Sequence, residues 1–370
     1  MNGDLVLRLF WWLALGALVA GIGIFLGGQL GLSVLLRYLG RNETERRVLI
    51  ERAGRPADGH QVWFVLGGGA VAGAWWPLIS TTLFSGLWLV LLFLGIALLG
   101  GPLGQGFRER IDASRRASWD LLWALLALAS LLVLGIGVGA TVSGGSFQLD
   151  AHLNASWGGF ASRFSPYEVL VPGVLAVAAG VWLAAARVAV RCDGVVAARA
   201  RGLLLPAGGL VLLAFIGGAL WATQLPGYAV AGVPALGTSA HNGSAFAVPG
   251  AYLEQFLSHL PLVIVPVIAG LALVGALFFA WRGAIARVWP LAAAAVAGIV
   301  ATAGAMTYPV IVPSSTHPAQ SLTVWNAAAQ PPVLISLLVW LGLLIPAVAA
   351  YEIWLRNRGR GRSAVGNSAG

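Results

Sequence analysis

The chain has 370 residues, of which 59% are hydrophobic and only 9% charged, and its mean hydropathy is +0.86. No water-soluble fold hides that much apolar surface, so the sequence is read as an all-α, polytopic membrane protein. The net charge of +9 comes from 22 basic residues that are all arginine, and their gathering in alternate loops marks topology rather than nucleic-acid binding.

Apolar runs of about 20 residues, the length an α-helix needs to cross roughly 30 Å of hydrocarbon, recur along the chain. Ten-residue alternating segments, the mark of a membrane barrel, are absent from the sequence. Nine spans are predicted, at residues 7–36, 61–79, 83–99, 119–142, 167–190, 203–223, 260–281, 288–308 and 333–355. The first is read as a retained span rather than a signal peptide, because the apolar run continues without a small-residue cleavage site. Residues 356–370 are Gly/Ser/Arg-rich with no apolar pattern and are expected to form a disordered basic cytoplasmic tail. Residues 224–258 hold Pro226, Pro234 and Pro249 with several glycines and read as a loop.

Counting arginines by side orients the chain. The first, third, fifth and seventh connections and the tail carry nearly all of them, whereas the others carry only Arg163. The positive-inside rule then places the N-terminus outside and the C-terminus in the cytoplasm.

The charged stretch at residues 37–63 holds six arginines, three glutamates and one aspartate. Asn42-Glu43-Thr44-Glu45 followed by Val48, Leu49 and Ile50 predicts a short amphipathic helix capped by Asn42, lying on the membrane or docking. Asp58 precedes the second span. A carboxylate there accepts from free backbone N–H groups as an N-cap, and it also stands where cytoplasmic protons would be drawn; both readings are open.

Haem ligation within the bundle needs His, Met or Cys at mid-depth. The five histidines, His60, His152, His241, His259 and His317, fall in loops or at span ends, Met306 lies near the end of the eighth span, and Cys192 is the lone cysteine. No metal or haem site is expected on this chain. Ion translocation would need titratable groups inside the spans, and only Asp120, Glu168, Glu254 and Glu352 come near, all at span ends, while Gln29 does not titrate. Gly27 with Gly31 and Gly69 with Gly73 are small-xxx-small pairs suited to close helix contact. Gly67-Gly68-Gly69 lacks the Lys-Ser/Thr of a phosphate loop. Asn154-Ala155-Ser156 and Asn242-Gly243-Ser244 fit the glycosylation tripeptide, which occurs often by chance. Trp11, Trp12, Trp75, Trp76, Trp119 and Trp289 sit near span ends, as belt residues do.

Residues 39–47 (LGRNETERR) and Asp58-Gly59-His60-Gln61-Val62-Trp63 resemble the first cytoplasmic loop of subunit II of cytochrome bd-type quinol oxidases. The resemblance continues through Phe84-Ser85-Gly86, Ser118-Trp119-Asp120, Pro313-Ser314-Ser315-Thr316 and Ser321-Leu322-Thr323-Val324-Trp325-Asn326, in order along the chain. It implies nine helices and a non-catalytic half that pairs with a subunit I in the bacterial cytoplasmic (inner) membrane. That partner would hold the haems, b and d or b-type only, and the quinol site, and the complex would oxidise quinol and reduce O2 to water. Asp58 would then match an acidic residue at the mouth of a proton path, with Arg41, Asn42, Glu45, Gln61, Trp63 and Asp120 as structural support. Membrane lipid and quinone are the other expected partners. The chain departs from the family pattern in four places. Leu26-Gly27-Gly28-Gln29-Leu30-Gly31 stands where Asp-Gly-Phe-Asp-x-Gly is usual, Ala57 replaces a Trp, His60 an Asn, and Asn326 an Asp. These changes fit a divergent branch, including a cyanide-insensitive one. A structural or assembly-only subunit and a stand-alone transporter are the competing readings; the transporter would need a polar midplane site that the sequence does not offer.

Overall fold

The computed structural model describes residues 3–54, 60–150, 155–158, 166–231 and 244–366. Asp58, His152, Asn154, Arg163, Pro234, His241 and Asn242 lie outside them. Among the described residues the main helices are α1 (Gly3–Leu39), α2 (Glu43–Leu49), α3 (His60–Ala74), α4 (Trp88–Arg110), α5 (Arg116–Ser143), α6 (Pro166–Arg191), α7 (Gly194–Ala222), α8 (Ala251–Ser258), α9 (Ile264–Trp281), α10 (Val288–Thr307) and α11 (Pro331–Gly366).

Seven helical segments among the described residues are long and apolar enough to cross a bilayer: those of α1, α5, α6, α7, α9, α10 and α11. Where the second and third spans are predicted, the apolar helices are shorter, Trp63–Ala74 and Trp88–Leu99. The expected second span to residue 79 is cut at Trp75, whose backbone leaves the helical region, and the chain passes Pro77 in a three-residue turn and then a π turn, Ile79–Leu83. The next helix therefore begins at Trp88 rather than residue 83, and it runs past residue 99 to Arg110.

Three other boundaries differ. α7 begins at Gly194, well before residue 203, so Arg199 and Arg201 lie on its first turns instead of in a loop. Arginine is a good helix former, and positive charge outside the hydrocarbon does not end a helix. The last helix continues past residue 355 through the arginine-rich segment to Gly366. In the connection at residues 224–258, read as a loop, the described stretches Pro226–Ala231 and Ser244–Pro249 pair antiparallel, and α8 follows.

α6 is central. It lies against α1, α5, α7 and α10, and its Ala184, Ala185, Ala186 and Val188 are fully buried. Small side chains let the helix axes approach, which is how membrane helices gain dispersion energy where lipid offers no hydrophobic drive. The closest approach is at Gly31 of α1, where a Cβ would meet the backbone carbonyl of Gly180. The outer surface keeps large apolar residues such as Leu213, Leu271 and Leu343 exposed, as lipid contact requires.

The two ends of the bundle differ in chemistry. One carries α2 and the arginine-bearing connections. At the other, short antiparallel pairs close the bundle: β1 (Phe147–Leu149) with β2 (Ala155–Trp157), β3 (Pro226–Ala231) with β4 (Ser244–Pro249), and β5 (Val310–Val312) with β6 (Leu322–Thr323). Gly144, at φ +93°, ends α5 and turns the chain toward β1, a backbone state that glycine adopts without strain. Trp11, Trp75, Phe147, Val324 and Leu334 form a second apolar core beneath these strands.

Candidate functional site

The polar site is built where α2 docks on the bundle. Asn42 caps α2, its side-chain oxygen accepting from the Glu45 N–H at 2.8 Å, and Glu45 Oε2 accepts from the Arg41 N–H at 2.8 Å. This reciprocal arrangement satisfies two backbone donors that a helix start otherwise leaves to water. The apolar side of the element is buried: Leu49 and Ala53 are 0% exposed and join the core formed with α1 and α6. The amphipathic segment thus docks on its own helices.

Ion pairs fix it there. Arg199 of α7 donates from Nη1 to Glu45 Oε2 and to the Leu39 carbonyl, both at 2.7 Å. Arg108 at the end of α4 forks onto Asp120 of α5, with Nε to Oδ1 at 2.7 Å and Nη2 to Oδ2 at 3.2 Å. Arg108 Nη2 also reaches Glu43 at 2.9 Å, and Arg116 reaches the other oxygen of Glu43 at 3.3 Å. Arg46 adds a third arm, with Nε on the Gly40 carbonyl at 2.9 Å and Nη1 on Asp120 at 3.4 Å. Asp120 is 2% exposed and Arg108 8%. A buried carboxylate is costly to leave without partners, and the two guanidinium groups supply them.

The electrostatics follow from this geometry. The Arg199 hydrogen bond, then the Arg41 N–H, hold the Glu45 carboxyl below its ordinary value of 4.5. Burial alone would raise Glu43, but the bonds from Arg108 and Arg116 outweigh it and its value also falls. A depressed carboxylate stabilises the folded arrangement above its unfolded value and loses that contribution as pH falls through the folded one. Amide-exchange protection at residues 41–49, corrected for the intrinsic rate, is therefore expected to hold at neutral pH and to decline as pH falls below 4.5. In Glu45→Gln the protection is already reduced at neutral pH.

Residues 7–357 match the family described as Cytochrome bd terminal oxidase subunit II. The chain belongs to that family. It is 28% identical over 361 residues to Cytochrome bd-I ubiquinol oxidase subunit 2 of Escherichia coli (strain K12), a match covering 94% of this chain and 93% of that protein. The Probable cytochrome oxidase subunit 2 of Haemophilus influenzae is 29% identical, covering 96% and 95%. In fold, the chain is similar to a chain of the bd oxidase from Geobacillus thermodenitrificans, with a TM-score of 0.64, 14% identity and coverage of 95% and 98%.

A haem held by this chain would need donors within its bundle. Met306 lies in the last turn of α10, Cys192 just past α6, His259 at the end of α8 and His317 in a connection. Among the described residues no three His, Cys, Asp or Glu side chains converge. Axial ligation needs His, Met, Cys or Tyr aimed into a bundle, whereas His259, His317, Met306 and Cys192 stand at helix ends or in connections.

Of the residues singled out from sequence, Arg41, Asn42, Glu45 and Asp120 meet at this site, Arg41 through its backbone. Gln61 lies in the first turn of α3 and Trp63 two residues on, half-buried. Asp58 lies outside the described residues. Sequence reasoning missed the partners: Glu43, Arg46, Arg108, Arg116 and Arg199 read there as surface or topology charges. The available signal was Asp120 itself, a carboxylate just inside a span that must find a cation.

Proposed function

We propose that this chain is the subunit II half of a quinol:O2 oxidoreductase in the bacterial cytoplasmic membrane, packed against a larger, haem-bearing subunit I. The family match over residues 7–357 carries this reading. The end bearing α2 is the cytoplasmic one: the first, third and fifth connections meet there through Arg108–Glu43, Arg199–Glu45 and Arg52–Asp193, and they hold most of the arginine. In this arrangement α3 and α4 complete nine spans. Affinity purification through a tag on this chain is expected to recover a second, larger membrane polypeptide with haem absorbance. Recovery of the chain alone from membranes that contain the haem protein contradicts the reading.

The chain's contribution is to anchor the first cytoplasmic connection, in which Asp58 takes up protons for the water-forming reaction. A purely structural role is favoured by one observation: Leu26 and Gln29 of α1 leave that helix without a titratable relay. Asp58→Asn separates the two. For a proton-uptake role, quinol oxidase turnover falls about ten-fold or more while haem content stays normal, the scale of a lost proton-transfer group. Unchanged turnover makes Asp58 a helix cap.

A further inference from the structure

The corner where α9 meets α10 carries charge that the surrounding chain does not balance. Between Glu254 and Glu352 the sequence holds no Asp or Glu, and Arg282 and Arg287 are the only arginines there. Other arginines are matched: Arg47 with Glu51, Arg52 with Asp193, Arg108 with Glu43 and Arg199 with Glu45. Among the described residues, no carboxylate pairs with Arg282 or Arg287.

What they have instead is aromatic. Arg282 Cζ lies 5.3 Å from the centre of the Phe278 ring and 5.4 Å from that of Trp281, and Arg287 Cζ lies 4.9 Å from that of Phe279. Phe278 is one turn back along α9, so Arg282 folds toward the apolar part of the helix rather than away from it. Gly283, at φ +75°, makes the turn tight, and the Ala284 N–H donates to the Phe279 carbonyl at 2.9 Å, which keeps both arginines at one corner. A cation–π contact occupies the charge but none of the five N–H donors of a guanidinium, and both side chains are exposed. Next to them the outer face of α9 is bare and apolar: Val267, Leu271, Val274 and Phe278, three or four residues apart, are all exposed, and Trp281 marks the boundary with water.

These two features together select the occupant. A soluble anion meets the N–H donors and leaves the apolar face uncovered. A zwitterionic lipid covers that face but brings an ammonium group beside two arginines. A lipid with net negative charge satisfies both. We propose that the α9–α10 corner binds an anionic phospholipid, its phosphate held by Arg282 and Arg287 and its acyl chains lying along the exposed face of α9.

Photo-cross-linking in the assembled complex tests this. The cross-linking residue p-benzoylphenylalanine replaces Val274, beside the corner, or Leu213, on the exposed apolar face of α7, and the complex is placed in nanodiscs of phosphatidylglycerol and phosphatidylcholine in equal amounts. Each arginine near a membrane surface favours anionic lipid by about five-fold, so phosphatidylglycerol should exceed phosphatidylcholine about ten-fold or more among the lipids cross-linked at Val274. The two lipids should appear equally at Leu213. Arg282→Gln with Arg287→Gln should bring the ratio at Val274 down to that at Leu213, whereas Arg201→Gln, which removes an exposed arginine of α7, should leave it unchanged. Equal yields of the two lipids at Val274, or an excess that survives the double substitution, overturn the site. So does cross-linking of Val274 to a polypeptide, which would mean that a protein covers the corner. None of these outcomes touches the subunit assignment, because the haem absorbance of the purified complex does not depend on which lipid the corner holds.

Discussion

Asp120→Ala is expected to cost about 3–5 kcal/mol, the range for removing one member of a buried ion pair, because it strands Arg108 and Arg46 with no buried counter-charge between them. At 1.4 kcal/mol per factor of ten, that is a loss of more than a hundred-fold in the equilibrium that holds α2, α4 and α5 together. The measurable outcome is a collapse in membrane abundance of this subunit, followed by immunoblot, with a matching loss of haem absorbance from the complex. Asp120→Asn keeps the shape and one acceptor and should do less harm. Removing both partners, Asp120→Ala with Arg108→Leu, should recover part of the loss, because the pair together is worth much less than either charge left alone. If the double variant is as poor as the sum of the singles, the pair is not the unit that matters.

The second large effect is expected at Gly31. A Cβ there runs into the Gly180 carbonyl, and on the facing side a Cβ at Gly180 comes within 2.9 Å of the Gly27 carbonyl. Both obstacles are backbone, which cannot swing aside as a side chain does, so α1 and α6 must separate. Overpacking of this kind costs typically about 1–3 kcal/mol, and Gly31→Leu should lie at the top of that range or above it. Gly16→Ala is the matched control on the same helix: nothing lies within 4 Å of its Cβ position, and alanine is the better helix former. Thermal unfolding of the purified complex should drop sharply for Gly31→Leu and stay level or rise for Gly16→Ala.

The spans were legible because hydrocarbon thickness imposes a length that hydropathy records directly. Breaks and overruns were not. Trp75 leaves the helical region for tertiary reasons, its indole N–H donating to the Trp11 carbonyl 64 residues away, and no local pattern announces that. Arg199 and Arg201 look like loop in the sequence because charge interrupts the apolar run that marks a span; α7 projects beyond that run, and Arg199 reaches Glu45. At the site, the Asn42 cap was readable from its three-residue spacing to Glu45. The Asp120 cluster was not, since Arg46 lies 74 residues and Arg108 12 residues away, and an arginine meeting a buried carboxylate looks in sequence the same as one facing the cytoplasm.

Oxygen consumption driven by quinol tests the central claim most directly. The complex purified through a tag on this chain is expected to consume O2 when given a reduced quinol, with a haem-bearing second subunit present in equal amount. A haem-free preparation that consumes no O2, from membranes whose quinol oxidase activity survives deletion of this chain, would contradict the account.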